Sequence, residues 1–219
     1  MPVRDLLMAA SGVSSIPAIG SAYGGGYFAG QISTSGTGIA THNLVICDKA
    51  VGQSTGLMYA DNTGVTLGSS SVINGASNTA IIIASGWDGG AASFCTSITA
   101  GGYTDWYLPA LNELEVMYYY LKPTTATNRL SPASGSNANA VSPEPISTTY
   151  TAGAPAQTIA TSFKNGASSQ EFSTTYYWTS TESARGVAWG QEFSTGRQFS
   201  GQVTTMTTLY TRAIRKVAV

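Results

Sequence analysis

Charge is scarce in this chain: 10% of its 219 residues are Asp, Glu, Lys or Arg, and the formal net charge is −1. A nucleic-acid binder needs a basic face to displace counterions from phosphates, so no nucleic-acid partner is expected. No cluster of Lys and Arg flanks an apolar stretch, which removes a polybasic membrane patch. Long hydrophobic runs are also missing. The run "AIIIA" at 80–84 falls far short of the roughly 20 residues that a spanning helix needs, so no membrane partner is expected either. Histidine occurs once, at His42, and cysteine twice, at Cys47 and Cys95. Neither cysteine spacing resembles a metal knuckle, and two buried free thiols are favoured over one disulfide.

What remains is rich in Gly, Ser, Thr, Asn and Tyr, a composition that suits strand-and-loop surfaces working through hydroxyls and amides. The opening "MPVRDLLMAASGVSSIPAIGS" reads as an N-terminal arm over 1–21, part of the mature chain, because Asp5 interrupts an apolar run too short for a signal core. A domain is expected over 22–219. Its strand candidates are "YFAGQIS", "HNLVICD", "TTYYWTSTES", "GVAWGQEFS", "GRQFSGQV" and "LYTRAIRKVAV", the last four in an antiparallel meander. A hairpin is read at Asp61–Gly64, and "NTAIIIASG" fits a buried strand or a short helix equally. A Pro/Ser/Thr/Ala-rich insertion over 123–170 reads as a long ordered surface loop or a partly mobile one.

The clearest helix lies in "GGYTDWYLPALNELEVMYYYL", with Ala110 at its N-cap and Pro123 beyond its end. Leu111, Leu114, Met117, Tyr118 and Leu121 share one face at helical spacing. Val116, Tyr119 and Tyr120 lie opposite, where a loop or a second subunit is expected to cover them. Glu113 and Glu115 in the first turn and Lys122 at the end complement the helix dipole. Two residues apart, the two glutamates point in different directions, which suits capping better than a glycosidase pair. His42 and Cys47, five apart, fall on opposite faces of a strand, so a nucleophile–base couple is disfavoured. Asp88 in "GWDGG" and Asp105 in "YTDWY" read as turn residues. Neither glycine-rich stretch has the Lys and Ser/Thr of a phosphate loop, and Glu144-Pro145 lacks the Asn that would follow in a sugar-binding calcium loop. No cofactor, metal or catalytic residue is assigned, and the chain is read as a non-enzyme.

In order and spacing, "NGASNTAIII", "AASFCTS", "GGYTDWYLPALNELEVMY", "YYWTSTES", "AWGQEFSTG" and "TRAIRKV" resemble the Lcl C-terminal domain family, named after the Legionella collagen-like adhesin. The resemblance runs from about residue 22 to 217. It implies an α+β, C-type lectin-like domain with twisted antiparallel strands, one main helix near 110–122 and long loops. Trp106, Pro109, Glu113, Trp178, Glu182, Trp189 and Arg212 match the family pattern and are read as fold-holding, the three tryptophans in the core and Glu182 paired with Arg212. The family usually carries Ser or Thr where this chain has Ala110, so half of a capping box is missing.

Function is then expected in the loops, with Trp87, Asp88, Tyr119, Tyr120 and Tyr150 as candidate ligand or partner contacts. The segment "PVRDLLMAASG" resembles the start of tailed-phage structural proteins. Together these readings imply a phage virion protein: a fibre, tail-tip or capsid-surface component, homotrimeric, anchored to other virion proteins by its arm and able to bind host surface glycans. A purely architectural virion protein and a bacterial surface adhesin are the alternatives. An enzyme of the formylglycine-generating type would need a cleft-borne cysteine pair.

Overall fold

The computed structural model describes residues 15–60, 66–86, 90–130, 134–144, 149–166 and 169–219. The first fourteen residues of the arm, the hairpin read at 61–64, and Trp87 and Asp88 lie outside them.

Two sheets and a set of short helices make an α+β fold. The first sheet has the order β1 (Ala22–Tyr23), β2 (Gly26–Ile32), β3 (His42–Ile46), β9 (Ile214–Ala218), all antiparallel. The second runs β4 (Gln53–Thr55), β8 (Tyr210–Arg212), β5 (Tyr176–Ala184), β6 (Val187–Glu192), β7 (Gln198–Val203). As read from the sequence, β5, β6 and β7 form an antiparallel meander. The last segment does not continue it: β8 pairs in parallel with β5 at Tyr177 and Tyr210, and the chain then crosses at Ala213 to the first sheet.

Strand β3 shows why the core has two halves. Successive side chains of a strand point to opposite faces. Leu44 and Ile46 enter one apolar cluster with Leu114, Met117 and Phe193, while Val45 and the following Cys47 enter a second with Ile82, Trp106 and Trp178. A strand buried on both faces reads as a continuous apolar run, as "LVIC" at 44–47 does.

The ambiguous "NTAIIIASG" is helical, α2 (Gly75–Ala84), following α1 (Lys49–Gly52) and preceding α3 (Ala91–Thr96). The Asn74 side chain caps α2 by accepting from the Ser77 amide at 3.3 Å. The main helix α4 (Leu111–Leu121) falls where the sequence places it. Its far face, however, is covered by its own chain. Val116 is fully buried, and at Gly30 of β2 an added Cβ would lie 2.8 Å from Val116 and 2.7 Å from Tyr120. Glycine at that bulge, with φ of 121°, lets the strand close directly onto the helix. Val116 is therefore unavailable to a second subunit.

Among the described residues the insertion is a long loop, exposed over much of its length but anchored by buried side chains. Asn128, Ser134, Asn137, Asn139, Glu144, Tyr150 and Phe163 are all buried. Its polarity is spent on internal hydrogen bonds: Asn139 Nδ2 donates to the Ser33 carbonyl at 2.7 Å, and Asn112 Nδ2 donates to Asn139 Oδ1 at 2.8 Å. Buried amides satisfied this way replace the apolar packing that the composition cannot supply. Lys122, read as a dipole complement at the helix end, is 2% exposed and donates to the Asn128 side chain at 2.7 Å and to the carbonyls of Ala126 and Pro155.

Candidate functional site

The motif residues build the frame. Trp106 and Trp178 are buried, and their indoles donate to the carbonyls of Tyr103 at 3.2 Å and Leu57 at 2.9 Å. Trp189 departs from expectation. It lies half-buried on β6, on the opposite face from the buried Ala188 and Gly190, and belongs to neither core cluster. Pro109 is buried, and its carbonyl accepts from the Ser180 amide at 2.7 Å.

Glu113 is the chief crosslink. Its carboxylate accepts from the amides of Ala110 at 2.8 Å and Gly75 at 3.2 Å and from the Tyr107 hydroxyl at 3.1 Å, and lies 3.0 Å from Lys216 Nζ. Burial pushes this carboxyl up, while Lys216 and the Ala110 amide pull it down. Ala110 offers no side-chain acceptor in return, so the box is half made. Glu115, read as a first-turn dipole complement, lies beyond the first turn, where Glu113 is the acidic residue. It is fully buried, accepting from Tyr150 Oη at 2.8 Å and from Asn137 Nδ2 at 2.7 Å.

The proposed Glu182–Arg212 pair does not form. Glu182 accepts from the amides of Leu67 at 3.0 Å and Gly68 at 2.8 Å, pinning the loop ahead of α2. Arg212 is 1% exposed and gives its protons to the Cys47 carbonyl and to the side chains of Gln53 and Gln170, over the Phe172 ring. Two neutral amides and a carbonyl neutralise this guanidinium less well than a carboxylate would, and burial pulls its pKa down to about 10.

The sequence-read contacts scatter. Tyr150 is 4% exposed and packs at a tilt against Tyr118, ring centres 5.3 Å apart, so its ring belongs to the core. Tyr119 and Tyr120 are half-buried, in edge contact at 5.0 Å, with Tyr120 lining an apolar groove of about 200 Å³ with Ile19, Phe28 and Pro143. His42 and Cys47 lie at opposite ends of β3, and Cys47 is buried. Both thiols are free; burial raises the Cys47 pKa to about 11 and that of Cys95 well above its ordinary value. Among the described residues no group of three or more His, Cys, Asp or Glu is placed to hold a metal ion, and no helix is long and apolar enough to cross a membrane.

The described surface does carry a mixed aromatic and polar groove, of about 380 Å³, on the β5–β6–β7 meander. Tyr176 comes from the start of β5, Arg197, Phe199 and Gln202 from β7 and the turn before it, and Met206, Thr208 and Leu209 from the β7–β8 connection. Gly190 packs against two of its lining residues: a Cβ there would meet Gln202 and Leu209, each at 3.1 Å. The far wall is fixed because the Thr204 carbonyl accepts from the amides of Tyr59 at 2.9 Å and Ala60 at 3.1 Å. Phe199 is 39% exposed, and the Arg197 guanidinium sits 5.0 Å from its ring centre, within cation–π range. Among the described residues no carboxylate lies within 4.0 Å of Arg197. The groove thus presents flat rings beside a guanidinium, held by Tyr176 and Phe199 rather than by a carboxylate, and neutral amide and hydroxyl groups. The sequence reading places candidate contacts in loops and does not single out this strand face. The available signal was "GRQFSGQV", where an aromatic stands among polar residues with glycine two positions on, and the Phe199 ring folds over that Gly201.

The family model of the Lcl C-terminal domain matches residues 50–215. The match begins later than the resemblance read from the sequence and leaves out β1–β3, although β3 pairs along its whole length with β9. No curated protein and no solved structure matches the chain.

Proposed function

This chain belongs to the Lcl C-terminal domain family, a lectin-like, adhesin-type domain, and from that premise we propose that it is a non-enzymatic carbohydrate-binding component of a phage virion. The observation that carries the binding role is the meander groove. Saccharide recognition uses flat apolar ring faces for stacking and a few placed amide, hydroxyl and guanidinium groups for orientation. Tyr176 and Phe199 supply the first, and Arg197, Gln202 and Thr208 the second. The virion role rests on the resemblance of the opening segment to tailed-phage structural proteins. In this reading residues 2–12 dock the chain onto a neighbouring virion protein, the domain assembles as a homotrimer, and the groove faces the host surface.

Two measurements test it. Deletion of residues 2–12 abolishes incorporation into particles while the domain stays folded; normal incorporation overturns the anchoring role. On a glycan array and on whole host cells, the purified chain binds specifically and Phe199→Ala does not. Specific binding that survives Phe199→Ala removes the groove from the account, and no binding by the folded chain favours an architectural virion protein.

A further inference from the structure

A second polar cluster lies beneath the surface, where the insertion meets α4. Glu115 and Glu144 are 0% and 3% exposed, and their carboxyl groups are within hydrogen-bonding reach of one another. Asn137 Nδ2 donates to both, at 2.7 Å to Glu115 and 3.3 Å to Glu144. Its orientation is fixed by the Asn139 amide, which donates to Asn137 Oδ1 at 2.9 Å. Among the described residues Glu144 Oε2 has no hydrogen-bond donor.

The groups facing the pair are Asn137 and Tyr150 of the insertion, Tyr118, Tyr119 and Tyr120 of α4, and Gln191 of β6 through its bond to Tyr150. All are neutral or acidic. Among the described residues no Lys, Arg or His comes within 4.0 Å of either carboxyl. Two carboxylates side by side in a low-dielectric site, with no cation, cannot both ionise at modest cost. A proton between them supplies the donor that the orphan oxygen lacks and turns repulsion into a hydrogen bond.

We propose that Glu115 and Glu144 form a proton-operated clasp, closed while they share a proton and opened by its loss, which releases residues 134–144 and Tyr150 from α4. Burial pushes both carboxyls up, and the charge and hydrogen bond of the adjacent Glu115 push Glu144 further, which places opening above the ordinary carboxylate range. Opening reaches the meander groove as well. The β6–β7 turn carrying Arg197 rests on this stretch: a Cβ on Gly196 would lie 2.3 Å from Tyr118 and 2.6 Å from Tyr150, and the Gln198 amide donates to Ser134 Oγ at 3.3 Å. The clasp itself stands whether or not the groove binds a sugar.

Amide hydrogen exchange across a pH series, corrected for intrinsic rates, tests this on the full chain. In the wild type the open fraction over 134–144 rises about tenfold per pH unit where opening releases one proton. Glu144→Gln, which keeps a donor and cannot ionise, gives a pH-independent open fraction. A pH-independent wild type, or an unchanged slope in Glu144→Gln, overturns the clasp. Should Glu144→Gln fail to fold, isotope-edited infrared spectra of the wild type decide. A buried protonated carboxyl band at neutral pH, lost together with the protection of 134–144 as pH rises, supports the clasp; its absence at neutral pH contradicts it.

Discussion

Arg212 donates to the Cys47 carbonyl through both Nε and Nη2, at 3.2 and 3.0 Å, and pairs with no carboxylate among the described residues. That bond ties β8 to the end of β3 and so joins the two sheets, with Gln53 and Gln170 completing the cage. Arg212→Lys keeps the charge and loses the fork, leaving at least one buried acceptor unsatisfied. Urea unfolding should show a loss of about 2–3 kcal/mol. A loss near zero would mean that the cage is not structural.

Ala110 leaves the Glu113 amide without a side-chain cap at the start of α4, while the Leu111 and Asn112 amides are bound by Thr181 Oγ1 at 3.0 Å and the Val72 carbonyl at 2.8 Å. Ala110→Ser supplies the missing acceptor and completes the capping box. Thermal unfolding should show a gain of about 0.5–1 kcal/mol.

The two thiols should be silent in the folded protein. With the Cys47 pKa near 11, only about one molecule in a thousand carries its thiolate at pH 8, and burial blocks access as well. A thiol reagent at pH 8 should label neither cysteine in native protein and both in denaturant. Rapid native labelling would place one of them at a surface.

Acid stability should depend on Asp105. Arg215 holds its carboxylate with bonds of 2.7 and 2.9 Å and depresses its pKa below the ordinary value. A depressed folded pKa gives stability that is present above the unfolded carboxylate value and is lost as pH falls through the folded one. Asp105→Asn should flatten the acid limb of a melting temperature–pH profile. The Glu115–Glu144 pair has the opposite sign: with folded values raised, its contribution is full below the unfolded carboxylate range and falls as pH rises toward the folded values.

Much of the architecture was legible. The strand at 42–46, the meander and the helix over 111–121 all follow from local periodicity and breakers, which act through neighbours in sequence. The buried anchors of the insertion were not legible, because low hydrophobicity does not say which polar groups of a loop turn inward. Here Asn128, Asn137 and Asn139 find partners inside, an outcome decided by residues far away in the chain. The same holds for Glu182 and Arg212, whose charges suggested a pair while backbone amides and carbonyls claimed both. The groove was missed because its residues come from three separate stretches whose meeting depends on strand pairing.

The central claim is that the meander groove binds saccharide on a frame that does not depend on it. The most direct measurement is calorimetric titration of the best array ligand into wild type and Tyr176→Ala, with a thermal melt of each. The account predicts at least about tenfold weaker binding for Tyr176→Ala, with the melting temperature nearly unchanged because Tyr176 is half-buried at the groove wall. Equal affinity in the two proteins would contradict it.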